Sequence, residues 1–354
     1  ELVAAKLDAL RALARLHLQE GDVNALRDAV LQGEALGGPD AFAYERALLH
    51  AVTGEAEQAN AALNRYLDAH RDDLEAITFF ATLQIGAGDI QAVRAETLPR
   101  LKVAVEAKAK DAGRAVADPR DQYFLHIVTA QVGLAEGNLK AARDAFLDAL
   151  KTRPDVEAVR NSILELDLRI DDRVAAGVHA EEFLSYDPTL PFANYAMGSN
   201  ALLDNRPEDA VVYLRRAAVR DPRMPYAPAA YNDLAEAYRR LGRWDDAIAA
   251  AEEAAVLSPA LAIAYETAAT AYLGKGDLEG AQRAIDRAFA VFQENAPGQP
   301  VDPRFILTRA KLCAAQGKPD EAKLNLLELR PRYNDLDPAA RAEYDALAKD
   351  LDLF

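Results

Sequence analysis

Apolar residues recur along this chain at spacings of three and four, and short turns repeatedly interrupt the pattern. The clearest stretch is 228–261. Tyr231, Leu234, Ala235 and Tyr238 fall on one face of a helix, and Gly242 supplies the left-handed residue that ends it. Trp244, Ala247, Ala251 and Ala254 make the facing stripe of a second helix. Pro259 closes the unit, because proline cannot continue a helix and readily starts the next one. The pattern predicts two amphipathic helices joined by a tight turn.

The same pattern returns every 34 residues. Pro154, Pro188 and Pro222 stand 34 apart, as do Ala142, Ala176 and Ala210, and the turn residues Gly137, Asp171 and Asn205. Tyr231, Tyr238, Gly242 and Ala247 recur as Tyr265, Tyr272, Gly276 and Ala281. A single hairpin of this kind cannot bury its own apolar face, whereas a stack of them can, so the period predicts an array.

With an aromatic, a leucine, a small residue, a tyrosine, a turn glycine, an aromatic, two alanines and a proline in that order, the unit from Tyr231 to Pro259 resembles the tetratricopeptide repeat. The resemblance implies an all-α, right-handed superhelical solenoid of about nine helix-turn-helix units. Three degenerate units fill 1–107, where Gly21, Gly54 and Gly88 keep the turn spacing. Five occupy 123–295, and one occupies 303–336. The fifth copy, 157–190, carries Asp167 where the pattern asks for an aromatic. An insertion at 108–122 and a Pro- and Gly-bearing loop at 296–302 break the register, each readable as a binding loop or a plain connector. From 337 to 354, Asp337 and Pro338 open a last helix whose Tyr344, Leu347 and Leu351 stripe caps the end of the array.

Composition narrows the partners. The net charge of −16 repels phosphate backbones and anionic lipid, which argues against nucleic acid. Arg239, Arg240 and Arg243 form a local basic cluster that reads as a solvated helix end. There is no stretch long and apolar enough to span a bilayer, so a soluble chain is expected, cytoplasmic or periplasmic. The first residue is Glu1, which leaves room for a processed or truncated N-terminus. Cys313 is the single cysteine, which excludes an internal disulfide and a thiolate zinc cluster; it reads as a small buried hydrophobe.

Chemistry is sparse. His17, His50, His70, His126 and His179 are scattered, with no pair at the spacing of a helical metal site. Gly86 with Gly88, and Gly317 with Lys318, lack the remaining residues of a phosphate-binding loop and read as turn glycines. Neither a nucleophile elbow nor a zinc-protease helix is present. No catalytic residue, metal or cofactor is expected, and the chain reads as a non-enzyme.

The resemblance implies that first helices line a concave groove. Its positions are Tyr44, Phe124, Ile127, Gln131, Asn161, Glu165, Phe192, Tyr195, Ser199, Asn232, Glu236, Arg239, Glu266 and Thr270. Asn161, Asn232 and Gln131 suit the backbone of an extended peptide, and Phe124, Phe192 and Tyr195 suit its apolar side chains. Glu165, Glu236 and Glu266 favour a basic or neutral segment. The same asparagines are equally suited to bridging neighbouring helices. The leading expectation is a scaffold for a protein or peptide partner, bacterial in its alanine-rich, cysteine-poor repeats. A structural or assembly component of a bacterial envelope or polysaccharide-secretion system, and a regulatory or accessory domain of an enzyme complex, are the alternatives.

Overall fold

The computed structural model describes residues 2–218 and 224–353, and every regular element among them is helical. The chain forms two compact units, Glu1–Asp171 and Asp172–Phe354. The first contains α1 (Leu2–Glu20), α2 (Val23–Gly37), α3 (Ala43–Val52), α4 (Ala56–Ala69), α5 (Leu74–Gly86), α6 (Ile90–Ala92), α7 (Leu98–Asp111), α8 (Pro119–Ala135), α9 (Leu139–Thr152) and α10 (Glu157–Arg169). The second contains α11 (Arg173–Tyr186), α12 (Pro191–Leu203), α13 (Pro207–Ala217), α14 (Ala227–Arg240), α15 (Trp244–Leu257), α16 (Ala262–Lys275), α17 (Leu278–Asn295), α18 (Pro303–Ala315), α19 (Pro319–Leu329) and α20 (Pro338–Asp350). Consecutive helices pack as hairpins and each hairpin stacks on the next within its unit, giving the all-α repeat array that the 34-residue period predicts.

Turn chemistry explains how the period is enforced. Gly137, Asp171 and Asn205 all adopt left-handed backbone, at φ 74°, 55° and 56°. Asp and Asn are the side chains that tolerate this region best after glycine. The next residue often caps the following helix: Asp22, Asp89, Asn138, Asp172 and Asp277 each accept the amide three residues on. A turn residue followed by Asp or Asn thus stops one helix and starts another. Pro222, the third proline of the 34-residue series, lies outside the described residues.

Alanine lines the seams, so large side chains settle into specific hollows. A Cβ on Gly274 would lie 2.5 Å from the Trp244 ring, so the α14–α15 hairpin seats its indole where the next first helix carries no side chain. Asp167, odd by sequence, is 0% exposed and accepts a 3.1 Å bond from Arg143 on α9, an ion pair replacing the aromatic. Cys313 is buried, and that burial pushes its thiol pKa up.

Two places add to the sequence reading. Between α6 and α7 the helix runs through a π turn, Val93–Thr97, in which the Leu98 amide donates to the Val93 carbonyl. Pro99 follows at once; a proline cannot donate to the regular ladder, and the wider turn accommodates the break. The insertion placed at 108–122 is mostly helical: α7 runs through Asp111, Asp118 caps α8, and residues 112–118 alone are irregular. Pro119, read as part of the insertion, occupies a first-turn position where its missing N–H costs nothing.

Among the described residues no helix is long and apolar enough to cross a membrane.

Candidate functional site

Four first helices of the unit Asp172–Phe354 and the start of α20 surround a cup of about 810 Å³. Ser199 comes from α12, Asn232, Asp233, Glu236, Arg239 and Arg240 from α14, and Glu266, Thr267 and Thr270 from α16. Arg304 and Thr308 come from α18, and Asp337 and Glu343 bring in the last helix. The side chains converge because each repeat places the same face of its first helix toward the hollow. Asp337 accepts the amides of Ala339 and Ala340 and so fixes where α20 starts, while Tyr344 and Ala348 anchor the helix on Leu326 and Leu329.

The floor is lined by three groups of hydrogen-bonded polar side chains. Thr308 Oγ1 donates to Glu266 Oε1 at 2.5 Å, and Thr267 Oγ1 donates to Asn232 Oδ1 at 2.9 Å. The Asn232 side chain and Ser199 hydrogen-bond to Asp233, and Ser199 also bonds to Tyr195. Glu236 receives both guanidiniums: Arg239 grips its two oxygens at 2.6 and 2.8 Å, and Arg240 Nε reaches Oε1 at 2.7 Å. Arg240 also donates to the Leu202 carbonyl, tying α14 to α12. On the rim Arg304 is held by Asp302, and Lys311 donates to Glu343 at 2.7 Å.

Among the described residues five carboxylates and three guanidiniums line the cup, and they are unevenly matched. Arg239 and Arg240 are both committed to Glu236; burial alone would raise that carboxyl, and the two guanidiniums outweigh burial and hold it below its ordinary range. Asp233 and Glu266 receive hydrogen bonds from neutral groups. Burial lifts Asp233 to about 6, with the nearby Glu236 charge adding to the rise, and burial likewise raises Glu266. These two carboxylates are the under-neutralised charges of the floor.

Of the fourteen groove positions read from the sequence, Ser199, Asn232, Glu236, Arg239, Glu266 and Thr270 line this one cup. Phe192 and Tyr195 stand beside it in an aromatic cluster with Tyr226, with centroids 4.7 to 5.9 Å apart. The burial of Phe192 corrects its reading as an open apolar contact, since Tyr226 and Tyr195 cover its ring. Glu266 is 7% exposed and sits in the floor rather than on a flank. Asn232 bridges α14 to α16 through Thr267, which is the bridging role considered for it. Arg239 and Arg240 end α14 as read, Arg240 exposed and Arg239 half-buried, and Glu236 binds both.

The other predicted positions belong to the unit Glu1–Asp171. Tyr44 is buried against Tyr66 and Phe79, its ring reaching across to the next first helix, which corrects its groove assignment. Phe124, Ile127 and Asn161 are half-buried, and Phe124 packs edge-on to Tyr123. Gln131 exchanges hydrogen bonds with Thr82 on the neighbouring first helix. Glu165 is exposed and pairs with Arg169 one turn on.

Sequence reasoning missed Asp233, Thr267, Thr308, Arg304 and Glu343. The first three share one register position, which Val128 and Ala196 fill with apolar side chains and Glu45 and Ser162 with polar ones in other units, so the position carried no clear signal. Glu343 carried none, because its place depends on how α20 packs.

A tetratricopeptide repeat family model matches residues 228–261, and a second one matches 267–333. No curated protein matches the chain. Among solved structures, the chain is similar to MamA protein, at 22% identity over 51% of this chain and 96% of that one, with a TM-score of 0.41. It is also similar to a tetratricopeptide repeat protein from Parabacteroides merdae, at 16% identity over 78% and 98% with a TM-score of 0.47. Pseudomonas aeruginosa pilF is similar at 18% identity over 64% and 97%, with a TM-score of 0.48.

Proposed function

We propose that this chain, which is a tetratricopeptide repeat protein, holds a polypeptide segment of a partner in the cup of residues 172–354, with a lysine or arginine of that segment seated over Asp233 and Glu266. Proteins of this repeat family are generally scaffolds for protein–protein interaction. The observation that carries the reading is a pair of carboxylates on the cup floor, Glu266 buried and Asp233 half-buried, that are bonded to neutral donors while Glu236 takes both nearby guanidiniums. An incoming ammonium or guanidinium supplies the missing countercharge and recovers the cost of burying them. The internal network holds the side chains in place beforehand, so little ordering cost falls on binding. An acidic segment meets the same two carboxylates as like charges instead.

The test is selection of the immobilised chain against a random peptide library, read by sequencing. Enrichment of Lys- and Arg-bearing peptides is expected, with the enrichment lost in Thr270→Trp, which fills the cup, while the circular dichroism stays unchanged. Acidic selection lost in Thr270→Trp, or basic enrichment that survives it, refutes the proposal.

A further inference from the structure

On the side away from the cup, α16 borders a second hollow. A cleft of about 490 Å³ lies between α15 and α17, with α16 as its floor. Its origin is a change of side-chain size at one seam, where a second helix packs on the first helix of the next unit. Leu214 and Leu234 occupy this pair of register positions one seam earlier, and Phe146 and Ile163 occupy them in the unit Glu1–Asp171; all four are buried. At the α15–α16 seam the pair is Ala251 and Ala268, so the branched ends of two leucines are missing there. Ala255 and Ala284 continue the apolar lining, and Val256, 62% exposed, stands on the lip. Tyr265 and Tyr272 lie two turns, or about 10 Å, apart along α16, and both are held. The Tyr272 ring rests on α17 where Gly280 has no side chain, a Cβ there lying 2.6 Å from it, and its hydroxyl donates to Glu252 Oε1 at 2.7 Å. The Tyr265 hydroxyl donates to the Pro259 carbonyl at 3.4 Å. The cleft is therefore shaped before anything enters it.

The charges at its mouth indicate what fits. Arg283 and Arg287 stand one turn apart on α17, both exposed. Among the described residues Arg283 makes no hydrogen bond or ion pair, and Arg287 pairs with exposed Glu294 at 3.6 Å, beyond hydrogen-bond distance. Nearby carboxylates are engaged elsewhere: Glu252 accepts from Tyr272, and Asp286 accepts from Gln282 at 3.0 Å. The lip thus offers two guanidiniums beside an apolar floor. The net charge of −16 repels an acidic partner at a distance, but beyond roughly 8 Å that repulsion is screened at physiological ionic strength, and the local pair decides what docks. Because the cleft is a trough between two helices that each pack on a third, a further helix seats in it as a ridge in a groove. Such a helix presents apolar side chains one turn apart to the alanines. Carboxylates one turn apart on its flank match the spacing of Arg283 and Arg287, whichever way the helix runs.

We propose that this cleft docks an amphipathic helix of a partner protein, apolar on the side that enters and acidic on the side facing Arg283 and Arg287. None of the cleft residues lines the cup, and the two sites select opposite charge, so neither proposal depends on the other.

Selection of a displayed library of helix-forming peptides on the full chain, read by sequencing, tests it. Peptides with leucine or phenylalanine one turn apart and Asp or Glu along one flank should be enriched, and equally so on Thr270→Trp, which fills the cup alone. Ala268→Leu restores the side chain that Leu234 supplies in the preceding unit, and should abolish this enrichment with an unchanged circular dichroism spectrum. Arg283→Glu with Arg287→Glu alters exposed positions only. By fluorescence anisotropy it should weaken binding of a selected peptide by roughly tenfold or more, and exchanging that peptide's acidic residues for lysine should recover the loss. A library that yields no acidic helix overturns the proposal, as does acidic enrichment indifferent to the double charge reversal or to a folded Ala268→Leu. Self-association of the chain in sedimentation that Ala268→Leu abolishes would also overturn it, since the occupant would then be a second copy.

Discussion

Replacing Asp233 with asparagine isolates the electrostatic cost stored in the cup. Burial lifts this carboxyl from 3.8 to about 6, so the folded state holds its proton more tightly than the unfolded state does. The associated stability is fully present below about pH 3.8 and is lost as pH rises through about 6. Integrating the two titrations gives a loss of about 1 kcal/mol by pH 4.5 and about 3 kcal/mol by pH 7.5, a swing of about 2 kcal/mol. The asparagine variant has no such titration. It does lose one hydrogen bond from Ser199 or Asn232, a cost of about 1 kcal/mol that is the same at both pH values. Wild type should therefore lose about 2 kcal/mol relative to Asp233→Asn between pH 4.5 and 7.5, or roughly 4 to 8 °C in melting temperature for a unit of this size. Trp244, the single tryptophan, lies on α15 of the same unit, and its fluorescence follows that unfolding directly. A difference between the two proteins that is equal at both pH values would refute the assignment of a raised carboxyl at 233.

Two further expectations concern the framework. Asp167→Ala leaves Arg143 facing a buried gap and should cost about 3 to 5 kcal/mol in urea unfolding, whereas Arg143→Met with Asp167→Leu should come close to wild type; a single-variant loss under about 1 kcal/mol would show the pair to be incidental. Asn205→Gly relieves a left-handed backbone at φ 56° and should gain roughly 0.5 to 1 kcal/mol by thermal melting, with Asn205→Ala changing stability in the opposite direction.

The fold was legible in the sequence because its constraints are local and periodic. Gly137, Asp171 and Asn205 share a spacing since each must turn left-handed at the same point of a hairpin, and the cap that follows is read from the next residue. The π turn before Pro99 was not legible, since a proline in a helical pattern signals a break without saying how the backbone absorbs it. The cup was half legible. Ser199, Asn232, Glu236 and Thr270 follow from the period alone, because stepping along one helix face needs no tertiary information. Whether a groove-facing ring stays open does need it: Tyr44 and Phe192 lie at the right register, yet neighbouring aromatics close over them. Glu343 lay beyond reach for the same reason, as nothing in the repeat dictates where α20 docks.

The position of α20 has a consequence for how binding preference can diverge. Four walls of the cup belong to first helices whose residues also maintain the stack, so a substitution there risks both functions at once. The fifth wall is contributed by a helix outside the repeat, held by Asp337, Tyr344 and Ala348, and its exposed Ala339 is free of that double duty. Exchanging Ala339 alone would reshape the cup's mouth while leaving the hairpin register untouched. On the proposed reading of the cup, its preference would shift through that position without touching the residues that hold the stack.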